Sequence, residues 1–446
     1  MALIDETGHL HHVLDHFPIF FLSGLLTRAG LDVRIAWLLW IPIAAFVLVA
    51  GFDRYVRALV AGARAQAAAL LLALFYCSPI AAAIYWIAHP HGDPFTHLVL
   101  TTYYLFPAGS VWGYPQIAIA LGLMPVCFLA VTDERSPPWL APVAGALVSF
   151  LHPWQGLTVL IVHALVGLSS RALRTTRLLV AMIGAAAPLG YYWIIERTDP
   201  RFELTARNTA IDTAPLWVLA AVFVPLAFAV VGALRASRES VLDRQLVFWP
   251  LVALFEYEFV QAAWKPYFLL GATLPLAILV VRGVLALRPS FRPALAIVAL
   301  LALTIPGIVW LGNLLRDREA GTARGAYLLK PGEARALAYV ADAPRRGSVL
   351  SAGLLAPAAW ALTDRDSWAA SRLTDPEFAV GGAEANRLIA GEFGAGTARR
   401  FVTRTGAAFV VSGCRPPGPD LSSSLGPLVA QTRRFGCAAV YELRPR

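Results

Sequence analysis

Apolar runs of about membrane-spanning length recur from Arg34 to Leu315, separated by short polar joints. A helix needs about 20 mostly apolar residues to cross about 30 Å of hydrocarbon. By that measure the candidate spans are residues 35–52, 66–88, 108–132, 140–151, 157–168, 178–195, 216–234, 245–259, 266–287 and 294–315, about ten in all. Two of them, 140–151 and 157–168, are short and are separated only by His152-Pro153-Trp154-Gln155-Gly156. Pro153 has no amide hydrogen and disfavours a helical residue before it, which points to two spans meeting in a tight turn. One broken helix is the alternative. Ahead of the first span, Phe17-Pro18-Ile19-Phe20-Phe21-Leu22-Ser23-Gly24-Leu25-Leu26 is about half the crossing length and reads as an interfacial or re-entrant helix.

The pattern changes near Asp317. Pro331-Gly332-Glu333 opens a helix that runs to Val340, and Ser348–Ser351 reads as a strand after the turn Arg345-Arg346-Gly347. Helices over 384–393 and 398–405 precede a strand at Ala407–Val411, and Ala438–Leu443 closes the chain as a strand. Strands alternating with helices predict a small α/β domain with a partly parallel sheet. The expected fold is therefore an α-helical polytopic membrane protein of about ten transmembrane helices with a small C-terminal α/β extracytoplasmic domain. Its expected divisions are an external segment over 1–33, a helical membrane domain over 34–316 and the α/β domain over 317–446.

The polar joints are sorted. Arg54, Arg57 and Arg64 occupy one, Arg135 a second, Arg171, Arg174 and Arg177 a third, Arg235, Arg238 and Arg244 a fourth, and Arg282, Arg288 and Arg292 a fifth. These are every second joint, so the positive-inside rule puts them in the cytoplasm, with the N-terminal segment and the C-terminal domain outside. The joint 196–215 runs against this with Arg197, Arg201 and Arg207, but it also carries Glu196, Asp199, Glu203 and Asp212.

Composition agrees. A hydrophobic fraction of 58%, a charged fraction of 15% and a mean hydropathy of +0.63 lie outside the range of soluble globular chains. The net charge of +9 is spread as clusters between apolar runs rather than as one stripe, which argues against nucleic acid as a partner. Abundant Ala, and Arg in place of nearly every Lys but Lys265 and Lys330, fit a GC-rich bacterial genome. The opening Met-Ala-Leu-Ile-Asp-Glu-Thr-Gly-His has no signal-peptide pattern, so insertion is expected to use the internal spans. Cys77 and Cys127 lie in apolar runs and read as packing residues. Cys414 and Cys437 lie in the C-terminal domain and can pair if it is translocated.

The expected external joints gather the unusual side chains. Asp5, Glu6, His9, His11, His12, Asp15 and His16 crowd the N-terminal segment; His89, His91, Asp93 and His97 follow the second span, ahead of Tyr103, Tyr104, Trp112 and Tyr114. His152 sits in the short turn beside Trp154. Glu256 and Glu258 end the eighth span just before Trp264 and Lys265. Ionisable groups at membrane depth are costly, so these acids are functional candidates; two residues apart they point to different helix faces, and one is expected to face a cavity. The histidines and Asp93 could ligate a divalent cation, yet no spacing matches a closed zinc site, and loop histidines are more often solvated. Tyr and Trp here are more often bilayer anchors than substrate platforms. Neither a Walker loop, a Gly-x-Ser-x-Gly elbow nor a dinucleotide fingerprint is present.

The order His152-Pro153-Trp154-Gln155-Gly156, then Pro188-Leu189-Gly190-Tyr191-Tyr192, then Asp199-Pro200-Arg201-Phe202 resembles bacterial polytopic proteins of the GT-C glycosyltransferase superfamily. The C-terminal order 333–340, 348–351, Asp375-Pro376-Glu377-Phe378 and 407–411 resembles the external α/β domain of such proteins. The resemblance spans nearly the whole chain through short motifs. It implies inverting transfer of a sugar from a lipid-linked (polyprenyl-phosphate) donor to an envelope glycan or lipid acceptor, in the bacterial cytoplasmic membrane at its outer face. Such a reaction needs a carboxylate base and cationic or metal stabilisation of the leaving phosphate.

In that family the base sits in the first external loop, after a span that runs outward. Here His16-Phe17-Pro18 looks like the end of that loop, so the acidic motif is expected upstream of Met1 or is absent. Asp15, Asp5 and Glu256 are then the candidate catalytic acids, and His152, His91, Asp93, Tyr104, Trp154 and Lys265 the candidate substrate-binding groups, with Lys265 countering phosphate charge. The alternatives are a non-enzymatic lipid or solute carrier, for which no internal repeat is visible, and a membrane-anchored envelope assembly protein.

Overall fold

The computed structural model describes residues 18–88, 93–169, 176–198, 212–236, 240–262, 264–287, 293–319, 329–353, 355–368, 378–414 and 418–445. The chain divides into two compact units, Met1–Thr198 with Ala210–Gly312, and Asp199–Thr209 with Asn313–Arg446.

The first unit is helical. Among the described residues, Ile35–Leu59, Pro115–Thr132, Thr176–Thr198 and Leu295–Asn313 are long and apolar enough to cross a membrane, and a fifth span results if Leu216–Leu226 and Phe228–Leu234, bent by 66°, count as one. The other expected spans are helical but short, interrupted or charged. Residues 66–88 divide into Ala63–Phe75 and Pro79–Ala88, 108–132 into Pro107–Gly113 and Pro115–Thr132, and 266–287 into the 3₁₀ turn Lys265–Leu269 and Thr273–Ala286. The eighth is one helix, Val241–Phe259, with Asp243 in its first turn and Pro250 inside. A proline begins the second helix at two of these breaks, where it removes a hydrogen bond and pushes the residue before it out of the helical region.

Backbone groups freed inside a bilayer must find partners in the protein. At the break before Pro79 they do. Cys77 N donates to Leu303 O at 2.9 Å, Ser78 Oγ donates to Ala221 O at 2.6 Å, and the Tyr76 hydroxyl donates to Val222 O. Ala221 and Val222 lie just ahead of the 66° bend, so one interruption supplies donors to the carbonyls beside the other.

Close helix crossings use small residues. The Trp40–Leu59 and Pro115–Thr132 helices meet at Gly51 and Gly122, where a Cβ on Gly51 would lie 2.0 Å from Gly122 O and one on Gly122 would lie 2.3 Å from Val47 O. Leu140–Leu151 and Pro153–Ser169 are separate helices joined through His152. A Cβ on Gly156 would lie 2.6 Å from Ser149 Cα, so the chain folds back at His152 and the helices pack against each other.

The second unit holds a five-stranded sheet in the order β2-β1-β3-β5-β4, with β1 at Val349–Leu350, β2 at Ser367–Trp368, β3 at Phe409–Ser412, β4 at Val429–Phe435 and β5 at Ala438–Leu443. β1 runs parallel to β2 and β3, while β5 is antiparallel to β3 and β4. Alternate side chains point to opposite faces. Val349, Phe409 and Val440 pack with Leu337 and Val340 of the Pro331–Asp342 helix, whereas Leu350, Val410 and Tyr441 pack with Leu388 and Phe401 of the Phe378–Ile389 and Ala395–Thr405 helices.

Glu333 ties the first of these helices down: Lys330 N donates to its Oε2 at 2.7 Å and Cys414 N to its Oε1 at 2.8 Å. Cys414, just past β3, is disulfide-bonded to Cys437 in the turn between β4 and β5.

Candidate functional site

Glu256 lies in the last turn of the Val241–Phe259 helix and is fully buried, while Glu258 is exposed, so the two acids take different faces as their spacing requires. The face that carries Glu256 packs on the Pro153–Ser169 helix. There the Thr158 hydroxyl lies 2.5 Å from Glu256 Oε2 and 3.1 Å from Trp154 O. It has one proton for these two acceptors. Glu256 Oε1 is buried without a hydrogen-bond partner.

One turn away along the Pro153–Ser169 helix, the reversal at His152 builds an aromatic cluster. Ring centroids of His152 and Trp154 are 5.0 Å apart, and Tyr267, from the 3₁₀ turn Lys265–Leu269, stands edge-on to both at 4.9 and 5.0 Å. Tyr104 meets Tyr267 at 5.1 Å, and Trp264 stacks on it at 5.8 Å. Gln155 pins the Tyr267 segment by donating from Nε2 to Tyr267 O at 2.7 Å and to Leu270 O at 3.2 Å.

Both His152 ring nitrogens and Gln155 Oε1 lack a partner in good hydrogen-bond geometry, although Gln155 is close enough to bear on the His152 ring. Buried polar groups left open in this way call for a ligand or water to complete them, and among the described residues they are not confined to this cluster, since both His163 ring nitrogens and the Gln245 amide are open as well. Lys265, half-buried, starts the 3₁₀ turn next to Trp264. Trp264 holds a left-handed φ of 51° and Gly271 a φ of 80°, so positive-φ residues bound this segment on both sides. For a tryptophan that conformation is strained, a condition that recurs at functional sites.

Of the sequence candidates, His152, Trp154, Tyr104, Glu256 and Lys265 thus fall on contiguous elements around Tyr267. Asp5, Asp15 and His91 lie outside the described residues. Asp93 begins the Asp93–Tyr104 helix, which ends on Tyr104; the backbone there is helical rather than an open joint, and its Asp-Pro start is a helix-opening signal. Sequence reasoning misses Thr158, Gln155 and Tyr267 as site residues. Thr158 is legible in principle as the hydroxyl inside an apolar run, one helical turn beyond Trp154. Tyr267 carries no comparable signal, because Trp, Lys, Pro, Tyr and Phe in succession also describe a bilayer boundary.

Among the described residues no three His, Cys, Asp or Glu side chains converge to hold a metal ion. The histidine joint considered for a divalent cation falls mostly outside them. A cavity of about 680 Å³ lies at the other ends of the same two helices, lined by Val166, Arg177, Ser240 and Val241, away from Glu256 and His152.

No protein-family model matches the chain, and no curated protein matches it. Among solved structures it is similar to the crystal structure of ArnT from Cupriavidus metallidurans in the apo state, with 13% identity over 96% of this chain and 88% of that one and a TM-score of 0.49. A likeness of that size carries no assignment.

Proposed function

We propose that the chain is a membrane glycosyltransferase of the GT-C type, which transfers a sugar from a polyprenyl-phosphate donor to an envelope acceptor at the outer face of a bacterial cytoplasmic membrane. The observation that carries this reading is the open carboxylate oxygen of Glu256, buried at the end of an apolar helix and held by Thr158, which stands one helical turn from Trp154 and its ring cluster with His152 and Tyr267. An ionisable group kept at such depth signals function more often than packing.

In this reading Glu256 Oε1 accepts the proton of the acceptor hydroxyl as that oxygen attacks the anomeric carbon, and the bond from that carbon to the donor phosphate breaks with its electron pair going to the phosphate. Lys265 offsets the charge that develops there. The Trp154 and Tyr267 rings give the sugar an apolar face, and the open His152 and Gln155 atoms take its hydroxyls. Asp15 and Asp5 stay assigned as further acids on the sequence alone, His91 and Asp93 as binding groups. Admission of a substrate to so buried a site calls for the 265–269 turn to move, with Trp264 and Gly271 absorbing the backbone change. The disulfide between Cys414 and Cys437 supports placing the α/β unit outside the cytoplasm, since such bonds persist in oxidising compartments.

The test is release of polyprenyl phosphate by the purified chain in proteoliposomes supplied with a panel of polyprenyl-phosphate sugars and envelope-lipid acceptors. Glu256→Gln is expected to lower kcat about 10²- to 10⁴-fold with the fold intact. Turnover by the Gln variant equal to wild type would remove Glu256 from the chemistry, and no turnover with any donor would sink the transferase reading.

A further inference from the structure

At the edge of the sheet where the parallel strands begin, the α/β unit has a cleft of about 260 Å³. Its rim is formed by the Arg345-Arg346-Gly347 loop that leads into β1, by Thr403 and Gly406 at the end of the Ala395–Thr405 helix, and by Arg444 just past β5. Among the described residues three arginines line the cleft and no Asp or Glu does. The arginines that form ion pairs among the described residues are others, namely Arg57, Arg282, Arg387, Arg404 and Arg434.

The loop is held from beneath. Arg365 is buried over the Phe409 ring and donates from Nη1 to Arg345 O at 2.5 Å and from Nη2 to Ala343 O at 2.7 Å. On the other side, Arg444 N donates to Leu428 O at 2.8 Å and its Nε to Val429 O at 3.3 Å, and the residue is exposed at the cleft. These bonds hold the loop backbone, while the Arg346 and Arg444 side chains are exposed; guanidinium groups gathered at one cleft repel one another until an anion joins them, and their paired donors match the geometry of phosphate oxygens. Burial first, and the charge of Arg346 second, hold the Arg365 guanidinium below its ordinary value, which places Arg346 within electrostatic reach of it. The end of the Ala395–Thr405 helix adds a weak opposing dipole, which falls off within a turn and is small beside three full charges.

We propose that this cleft is a phosphate-binding site, separate from the Glu256 site and independent of the transferase reading, which takes a phosphate monoester or diester between Arg345, Arg346 and Arg444. A cleft of this volume has room for a phosphate or pyrophosphate group. The group can be carried by a lipid headgroup or by a soluble phosphate.

The experiment uses the full chain in nanodiscs of neutral lipid, titrated with inorganic pyrophosphate at low ionic strength by calorimetry. A saturable site is expected, with affinity reduced at least tenfold in the triple variant Arg345→Ala, Arg346→Ala, Arg444→Ala and unchanged in Arg387→Ala, which removes a paired arginine of the same unit. Matching thermal melts and circular dichroism of the variants establish that the fold is kept. Nanodiscs containing phosphatidylglycerol separate the two sources: if they suppress pyrophosphate binding in wild type, the occupant is a headgroup; if they leave it unchanged, it is a soluble phosphate. Absence of binding at millimolar pyrophosphate in neutral nanodiscs, or equal binding by the triple variant, overturns the proposal. Sugar-transfer turnover plays no part in this readout, so either reading can fail without the other.

Discussion

Thr158 reaches across from the Pro153–Ser169 helix to Glu256 on the Val241–Phe259 helix, with 2.5 Å between its hydroxyl and the carboxylate. The other carboxylate oxygen has no partner, so this contact carries much of what keeps a polar acid tolerable in an apolar interior. Thr158→Val keeps the shape and removes the hydroxyl. It is expected to destabilise the first unit by about 1–3 kcal/mol, and by clearly less in a Glu256→Met background. Thermal melts of the four proteins in one detergent measure the coupling; equal costs in both backgrounds would mean that the contact contributes nothing.

The crossing at Gly51 and Gly122 makes a contrasting prediction. A methyl group on Gly51 would meet the Gly122 carbonyl at 2.0 Å, so Gly51→Ala must push two backbones apart and is expected to cost about 1–3 kcal/mol. Gly190, inside the Thr176–Thr198 helix, has open space where a Cβ would stand, with nothing within 4 Å, and Gly190→Ala should raise stability by about 0.5–1 kcal/mol through helix propensity. Melting temperatures that shift in the same direction for both variants would refute the close-approach argument.

Cys414 and Cys437 are separated by 23 residues, and a loop of that size confers about 3 kcal/mol through the unfolded chain. Cys414→Ser is expected to sensitise the α/β unit to protease in urea by a corresponding shift in midpoint. Reductant should bring wild type to the level of the variant and leave the variant where it is. A reductant effect of equal size on both proteins would place the sensitivity elsewhere.

Asp420 provides a pH dependence. Hydrogen bonds from the Ser422 backbone first, then from the Ser422 and Tyr441 hydroxyls, with the Arg434 charge last, hold its carboxyl below the ordinary carboxylate value. A depressed folded value stabilises above the unfolded value, near pH 4, and that contribution is lost as pH falls through the folded value. Asp420→Asn should therefore be less stable than wild type at neutral pH, and the difference should shrink below about pH 4. Hydrogen exchange at Leu421 and Ser422 across that range reads it; a gap that stays constant with pH would contradict the assignment.

The helical class of 34–316 and the partly parallel sheet near the C-terminus are legible in the chain because apolar period and turn residues report them directly. Strands β1, β3 and β5 can be read within a residue or two of their bounds. β4 cannot, because Arg433 and Arg434 sit inside it: it is an edge strand, where exposed charge is tolerated and hides the alternation. β2 is two residues long and leaves no pattern.

Span continuity is the harder matter. Pro125, Pro188, Pro250 and Pro306 lie inside unbroken helices, whereas Pro79 and Pro115 begin new ones. At Pro79 a distant residue supplies a partner for the freed backbone, with Cys77 N donating to Leu303 O, and no local pattern contains that. At the candidate site His152, Trp154, Glu256 and Lys265 stand out by chemistry. Thr158 and Tyr267 do not, since their importance lies in which neighbours they meet.

The donors at Tyr76 and Ser78 and the carbonyls at Ala221 and Val222 are more than 140 residues apart in the chain. Each interrupted segment finds hydrogen-bond partners on the other, so neither is expected to be fully satisfied in lipid until both have been made. Assembly of the helical unit is then expected to include a late docking of early and late segments. A nascent chain halted shortly before residue 221 would hold Tyr76 and Ser78 hydroxyls without these carbonyls, and one extended past the bend would not.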